Sequence, residues 1–175
     1  MDLELERKWT VSKDIIKKYN FNLKYKIQQG YLIVDDNKEI RIRSKNNIDN
    51  DKDKEFYLQR KIRSDKNTTE ETSIDLSKNS GEKLIKKAKP LIYKNRYKLE
   101  KPYQLLGLDE IKEVIIDRYI KPEVNYNKLE IEFTNKKAME DFISPIWFGE
   151  ELNFNDSDLW LNIKKDKLKL PKGVK

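Results

Sequence analysis

The chain has 175 residues, of which 39% are charged and 37% hydrophobic, and its formal net charge is +7. This length suits one globular domain, and the positive charge favours an anionic partner such as a nucleotide, a polyphosphate or a nucleic acid. The chain contains neither Cys nor His, which excludes thiol chemistry, disulfides and the usual zinc sites. Any bound metal is therefore expected to be oxygen-ligated, as Mg²⁺, Mn²⁺ and Ca²⁺ are.

Short segments of alternating polar and apolar residues run along most of the chain, and this period of two predicts β-strands. In chain order, the predicted strands cover residues 3–9, 24–32, 38–44, 55–63, 69–76, 92–100, 112–119 and 128–133. Helices are predicted over 12–19 with Ser12 as the N-cap, over 81–89 before Pro90, and from Thr134 or Asn135 to Ile143. Such a pattern is typical of one antiparallel α+β domain, either a barrel or a sandwich.

The chain is interpreted as one domain over 1–162, followed by a Lys-rich tail over 163–175. No apolar run is long enough to span a bilayer, and the acidic first residues do not form a signal peptide. The prediction is a cytoplasmic protein with no membrane contact.

Acidic and basic residues are segregated onto different predicted strands. Because side chains alternate between the faces of a strand, Glu4, Glu6 and Lys8 share one face. Other residues spaced by two are Arg41 with Arg43, Lys61 with Gln59 and Arg63, Lys94 with Arg96, Glu71 with Ser73, and Glu130 with Glu132. Asp117 lies in a strand that is otherwise almost wholly apolar.

Two interpretations of the charged faces are open. An antiparallel sheet with one solvated face shows the same alternation. The segregation of charge favours the alternative, in which helices cover the apolar faces and the charged faces point into a barrel lumen. Ions in a lumen must be hydrated, paired or liganded, because desolvation costs several kcal/mol for each ion. Glutamates binding Mg²⁺ or Mn²⁺, with Arg and Lys binding phosphate oxygens, would satisfy such a lumen.

These residues resemble the signature of a known family. The opening Glu4-x-Glu6-x-Lys8 is similar to the start of the CYTH domains, or triphosphate tunnel metalloenzymes, of the short bacterial type. Further matches follow in the family's order over about residues 1–162: Gln29-Gly30-Tyr31-Leu32, Arg41-x-Arg43, Tyr57-Leu58-x-x-Lys61, Lys94-x-Arg96-Tyr97, Asp117, Glu130-x-Glu132 and Trp147-Phe148-Gly149-Glu150-Glu151-Leu152.

The resemblance implies an α+β fold, with an eight-stranded antiparallel β-barrel tunnel, a charged lumen and a few short helices packed outside. It implies a metal-dependent triphosphatase in which water attacks a terminal phosphorus in line. Glu4, Glu6 and Lys8 would be catalytic. The implied substrate-binding residues are Lys8, Arg41, Arg43, Lys61, Lys94 and Arg96. The implied ligands of Mg²⁺ or Mn²⁺ are Glu4, Glu6, Glu71, Asp117, Glu130 and Glu132.

Three segments depart from the family pattern. Thr69 and Ser73 stand where the family usually has Arg and Glu, and Val114-Ile115 stands where it often has Trp-Glu. The expected Thr-Gly-Asp near the end is replaced by Asn153-Phe154-Asn155. These departures put a second metal and the efficiency of turnover in question.

The expected partner is a small molecule with a triphosphate: tripolyphosphate, a nucleoside triphosphate or thiamine triphosphate. Nucleic acid is not expected, apart from 5′-triphosphorylated RNA ends. Two other functions remain open, an adenylate cyclase of class IV type acting on ATP and a tunnel that binds polyphosphate or nucleotide without turnover. The sequence also leaves the oligomeric state open, a homodimer being one option.

Overall fold

The computed structural model describes residues 2–35, 37–49, 54–65 and 67–152. The strands are β1 (Asp2–Val11), β2 (Asn22–Val34), β3 (Lys38–Asn47), β4 (Glu55–Arg63), β5 (Thr68–Leu76), β6 (Leu91–Lys98), β7 (Ile111–Lys121), β8 (Asn127–Phe133) and β9 (Glu151–Leu152). The first eight form an antiparallel ring in the order β5-β4-β3-β2-β6-β7-β8-β1, which the pairing of β1 with β5 closes. The predicted barrel is confirmed, and β9 pairs with β1 outside the ring.

Within the described ranges, four short helices connect the strands: α1 (Ile15–Lys18), α2 (Lys78–Lys87), α3 (Pro102–Leu106) and α4 (Lys136–Asp141). The α2 helix begins three residues earlier than the sequence predicts, because the Ser77 hydroxyl accepts a hydrogen bond from the Ser80 N–H and caps it there. Asn135 caps α4 in the same way, as predicted. Ser12 does not cap α1, whose N-cap is Asp14.

The largest hydrophobic core lies outside the barrel. It joins the outer faces of β1, β7 and β8 to α1, α4 and the segment before β9. Its largest fully buried members include Trp9, Ile116, Leu129 and Ile131. The aromatic rings of Phe142 and Phe148 contact Trp9 from the far side of this layer.

A smaller core lies between β3 and α2. Ile42 packs there against Ile85 and Ala88. Gly30 lets the end of α2 approach β2 closely, since a Cβ at this position would lie 2.6 Å from the Cβ of Ala88. The outward side chains therefore supply the packing, and the alternate side chains of the same strands point into the barrel.

Two further predictions concern the C-terminal residues and the absence of a membrane span. Residues 153–175, which include the predicted Lys-rich tail and the end of the predicted 1–162 domain, lie outside the described residues. Within the described part of the chain, no helix has both the length and the apolar character needed to cross a membrane.

A candidate anion-binding site in the barrel lumen

Charged side chains line a cavity of about 90 Å³ inside the barrel. The basic residues of this lining are Lys8, Arg41, Arg43, Lys61, Arg63, Lys94, Arg96 and Lys128. The carboxylates are Glu4, Glu6, Glu39, Glu71 and Glu130. Basic groups outnumber acidic ones, so the lumen favours an anionic ligand.

Glutamates from β1 and β5 converge on one part of the lumen. The ammonium of Lys61 bridges them, since it donates to Glu4 and lies 3.0 Å from Oε2 of Glu71. Glu6 accepts a hydrogen bond from Lys8. Burial, with added repulsion from Glu6 and Glu71, raises the pKa of Glu4 despite its contact with Lys61. We call Glu4, Glu6 and Glu71 the acidic cluster, and each of its carboxylates contacts an ammonium group.

Arg41 contacts both the acidic cluster and Glu39, a buried carboxylate outside that cluster. Its Nη2 lies 3.2 Å from Oε2 of Glu71, and its Nη1 lies 3.0 Å from Oε1 of Glu39. Arg63 also donates to Glu39, at 2.6 Å. Burial alone would raise the pKa of Glu39, but the two guanidinium groups lower it to about 2. Glu39 therefore remains charged and holds both arginines in place.

Arg43 differs from the other lumen cations. Its Nε and Nη2 atoms donate to a neutral acceptor, Oε1 of Gln29, at 3.2 and 3.0 Å. Among the ion pairs found within the described ranges, none includes Arg43. Burial, together with repulsion from Arg41 and Arg96, lowers the pKa of Arg43 to about 10. The charge of Arg43 is consequently available to an incoming anion.

A third group of charges surrounds Asp117, which is fully buried in β7. Its carboxylate accepts from Nζ of Lys94 at 2.5 Å and from Nε and Nη2 of Arg96 at 2.8 and 2.9 Å. Burial would raise the pKa of Asp117, but Arg96 and Lys94 hold it below its ordinary value. Burial lowers the pKa of Lys94, and the neighbouring Arg96 and Lys128 lower it further.

The structure brings most of the predicted site residues together. Those that line this cavity are Glu4, Glu6, Lys8, Arg41, Arg43, Lys61, Glu71, Lys94, Arg96 and Glu130. Asp117 lies behind Lys94 and Arg96 and contacts them instead of the cavity. Glu132 lies outside this lining and accepts a hydrogen bond from the exposed Lys112 at 2.6 Å.

Three charged lining residues were not among the predicted site residues: Glu39, Arg63 and Lys128. Each lies two positions from a predicted residue on the same strand face. The period of two was therefore the signal that could have identified them.

The donor set of the acidic cluster suits a hard divalent cation, because carboxylate oxygens are the ligands that Mg²⁺ and Mn²⁺ take. Within the described residues, however, no three carboxylates lie close enough together to hold a metal as they stand. Lys61 contacts Glu4 and Glu71, and Lys8 contacts Glu6. The chemistry of the cluster fits a metal once these ammonium groups take other partners.

The fold is similar to that of several solved proteins. The inorganic triphosphatase NE1496 has 24% sequence identity and a TM-score of 0.56, with 98% of both chains covered. The PH1819 protein of Pyrococcus horikoshii OT3 has 18% identity and a TM-score of 0.60, covering 93% of this chain and 99% of its own. A Bacillus halodurans protein provisionally described as an adenylate cyclase has 16% identity and a TM-score of 0.56, with coverages of 81% and 87%.

No model of a protein family and no curated protein matches the chain. At these identities the likeness to solved structures is one of fold.

Proposed function

We propose that the protein is a metal-dependent hydrolase that binds a triphosphate inside the barrel and transfers its terminal phosphoryl group to water. The observation that carries this proposal is the convergence of an acidic cluster and an excess of basic residues on one enclosed cavity. Support also comes from the similar fold of an inorganic triphosphatase and from the resemblance of the sequence to triphosphate tunnel enzymes.

The charges of the lumen suit a triphosphate better than a ligand with one phosphate. Guanidinium groups bind phosphate oxygens in bidentate fashion. Arg41, Arg43 and Arg96 come from β3 and β6, which lie on either side of β2. They can therefore contact successive phosphates of an extended chain. Arg43 would be the first contact, because it gives up no carboxylate on binding.

The other cations must exchange partners when the ligand enters, since their ion pairs leave a cavity of only about 90 Å³ between them. Lys61 and Arg41 would turn from Glu71 to phosphate oxygens. This movement frees the carboxylates of the acidic cluster for Mg²⁺ or Mn²⁺. Each ionic contact is replaced by another, so desolvated charges are not left unpaired. Binding of the triphosphate and binding of the metal are therefore expected to favour one another.

Glu4, Glu6 and Glu71 would hold the metal, which when bound neutralises phosphate oxygens and makes the phosphorus more electrophilic. Lys94 and Arg96 would stabilise the negative charge that develops on the phosphoryl oxygens. Glu4 would also accept a hydrogen bond from the attacking water and orient it in line with the terminal phosphorus. The rate enhancement would come from positioning and charge neutralisation.

The experiment measures product release from tripolyphosphate, ATP, thiamine triphosphate and 5′-triphosphorylated RNA, each with Mg²⁺ or Mn²⁺. We expect orthophosphate from at least one of them. Cyclic AMP with pyrophosphate from ATP would instead identify a cyclase, and binding without any product would identify a binding protein.

Glu4→Gln keeps the size of the side chain and removes its charge, and we expect it to lower turnover by at least about 100-fold. Glu82→Gln on the exposed side of α2 is the matched control, and it should retain native turnover. Circular dichroism and the melting temperature would establish that both variants fold. Native turnover in Glu4→Gln would refute the assignment of the site.

A further inference from the structure

A second cavity, of about 130 Å³, adjoins the lumen cavity. We call it the mouth cavity, and its charged lining residues are Arg43, Lys45, Arg96, Lys98 and Glu113. Its carboxylate, Glu113, is already paired with Lys98. Because Arg43 and Arg96 line the lumen cavity as well, a ligand that they bind in the lumen can extend into the mouth cavity.

The inward basic residues of β6 show that the mouth cavity lies on the solvent side of the lumen. Lys94 lines only the lumen cavity, Arg96 lines both cavities, and Lys98 lines only the mouth cavity. Their side chains are 5%, 14% and 33% exposed in that order. An anionic chain too long for the lumen would therefore leave it through the mouth cavity.

The inward basic residues of β3 follow the same order. Arg41 lines only the lumen cavity, Arg43 lines both, and Lys45 lines only the mouth cavity. From Arg41 to Lys45 the strand rises about 14 Å, at about 3.4 Å for each residue. This distance exceeds that between the first and third phosphorus atoms of a triphosphate, which only two phosphoanhydride bridges separate. A triphosphate bound by Arg41 and Arg43 would therefore not fill the mouth cavity.

The ammonium group of Lys45 is available to an anion. Within the described ranges, no ion pair includes Lys45. Its Nζ lies 4.1 Å from the centroid of the Tyr25 ring and 5.8 Å from that of the Tyr57 ring. Glu55, across from Lys45 on β4, accepts a hydrogen bond from the Tyr57 hydroxyl. The two tyrosines thus position Lys45 without neutralising its charge.

The contacts of Tyr25 favour a phosphate over an aromatic group in the mouth cavity. Lys45 and Lys98 lie 4.1 and 5.8 Å from the centroid of its ring. A nucleobase stacking on the face that Lys45 covers would displace this ammonium group and its cation–π contact. A phosphate can instead bind Lys45 while the ammonium group remains over the ring, and the contact is a charge-assisted one.

We propose that the mouth cavity is a subsite for a fourth phosphate, so that the barrel binds linear polyphosphates of four or more phosphates in preference to a triphosphate. The inference deepens the proposed function and rests on it for the binding of a phosphate chain in the lumen. Three phosphates would lie in the lumen, and the fourth would contact Lys45.

The test compares tripolyphosphate with linear tetrapolyphosphate, each titrated calorimetrically into the full chain in metal-free buffer. We expect the native protein to bind tetrapolyphosphate at least about fivefold more tightly, which is the effect of one added contact. Lys45→Met should abolish this preference and leave the affinity for tripolyphosphate unchanged. Lys45→Arg should keep the preference because it keeps the charge. Lys26→Met, on the exposed outer side of β2, should also keep it and controls for the loss of one positive charge.

Equal affinities of the native protein for the two polyphosphates, or an undiminished preference in Lys45→Met, would overturn the inference. ATP is titrated as a third ligand, and a gain for ATP over tripolyphosphate with none for tetrapolyphosphate would overturn it in favour of an organic group. In each of these cases tripolyphosphate still binds, so the proposed function stands. Because the titrations involve no turnover, a failure to hydrolyse any triphosphate would refute the proposed function alone.

Discussion

The two faces of β8 carry opposite chemistry within a few residues. Leu129 and Ile131 point outward into the main core and are completely buried, while Lys128 and Glu130 point into the lumen and form an ion pair. Burial of the outer face stabilises the fold through the hydrophobic effect. The ions of the inner face add little net stability, because desolvation opposes their attraction. The comparison teaches that the barrel is stabilised from outside, which leaves its interior free to bind.

The largest loss of stability is expected from substitution of Asp117, an inward-facing residue that nevertheless supports the fold. Asp117 faces inward, yet it neutralises Lys94, Arg96 and Lys128 at once. We expect Asp117→Ala to lower the free energy of unfolding by about 3–5 kcal/mol, because it leaves buried cations without a counter-ion. Urea denaturation followed by circular dichroism measures this loss.

Glu123→Ala is the control for Asp117→Ala, since Glu123 is 74% exposed and its ion pair with Lys13 lies at the surface. It should cost no more than about 1 kcal/mol. If the two variants are equally stable, Asp117 is not the structural counter-ion described above.

An outward substitution should change stability and leave binding intact. Leu129→Ala removes a fully buried side chain from the main core, and it should cost about 2–5 kcal/mol of unfolding free energy. Calorimetric titration with tripolyphosphate, below the melting temperature of the variant, should give native affinity. A folded Leu129→Ala protein with much weaker binding would show that the two faces are not separable.

Substitution of a residue that faces the lumen is expected to raise stability and weaken binding. Arg43 is repelled by Arg41 and Arg96, and burial and this repulsion lower its pKa to about 10. Arg43→Met should therefore raise the free energy of unfolding by about 1 kcal/mol or more and weaken tripolyphosphate binding by about 1.5–3 kcal/mol. The gain in stability should be full at neutral pH and should fade above about pH 10.

Urea denaturation at pH 7 and calorimetry together test the Arg43 prediction. A loss of stability in Arg43→Met would mean that Arg43 supports the fold. Unchanged tripolyphosphate affinity would mean that it does not contact the ligand.

Much of the barrel could be predicted from the sequence because alternation is local. Residues such as Arg41 and Arg43, spaced by two on a strand, share a face in any barrel or sheet. The α3 helix and β9 were not predicted, since five and two residues are too short for a hydrophobic period to be recognised.

The position of a residue along the barrel axis and its depth in the wall could not be predicted. Glu130 and Glu132 have the same sequence pattern, yet one lines the cavity and the other pairs with Lys112. Asp117 shares the inward face but is covered by Lys94 and Arg96. Strand register and the partners on neighbouring strands decide these differences, and neither is encoded in the spacing within one strand.

The most direct measurement is a calorimetric titration of the native protein with tripolyphosphate, with and without Mn²⁺. If the lumen exchanges its ion pairs for phosphate and metal together, tripolyphosphate binds in both cases, and Mn²⁺ tightens binding by at least about fivefold. Arg43→Met should lose affinity, while Lys26→Met on the outer surface should not. Equal losses in the two variants, or no binding to the native protein, would contradict the claim that the lumen is the binding site.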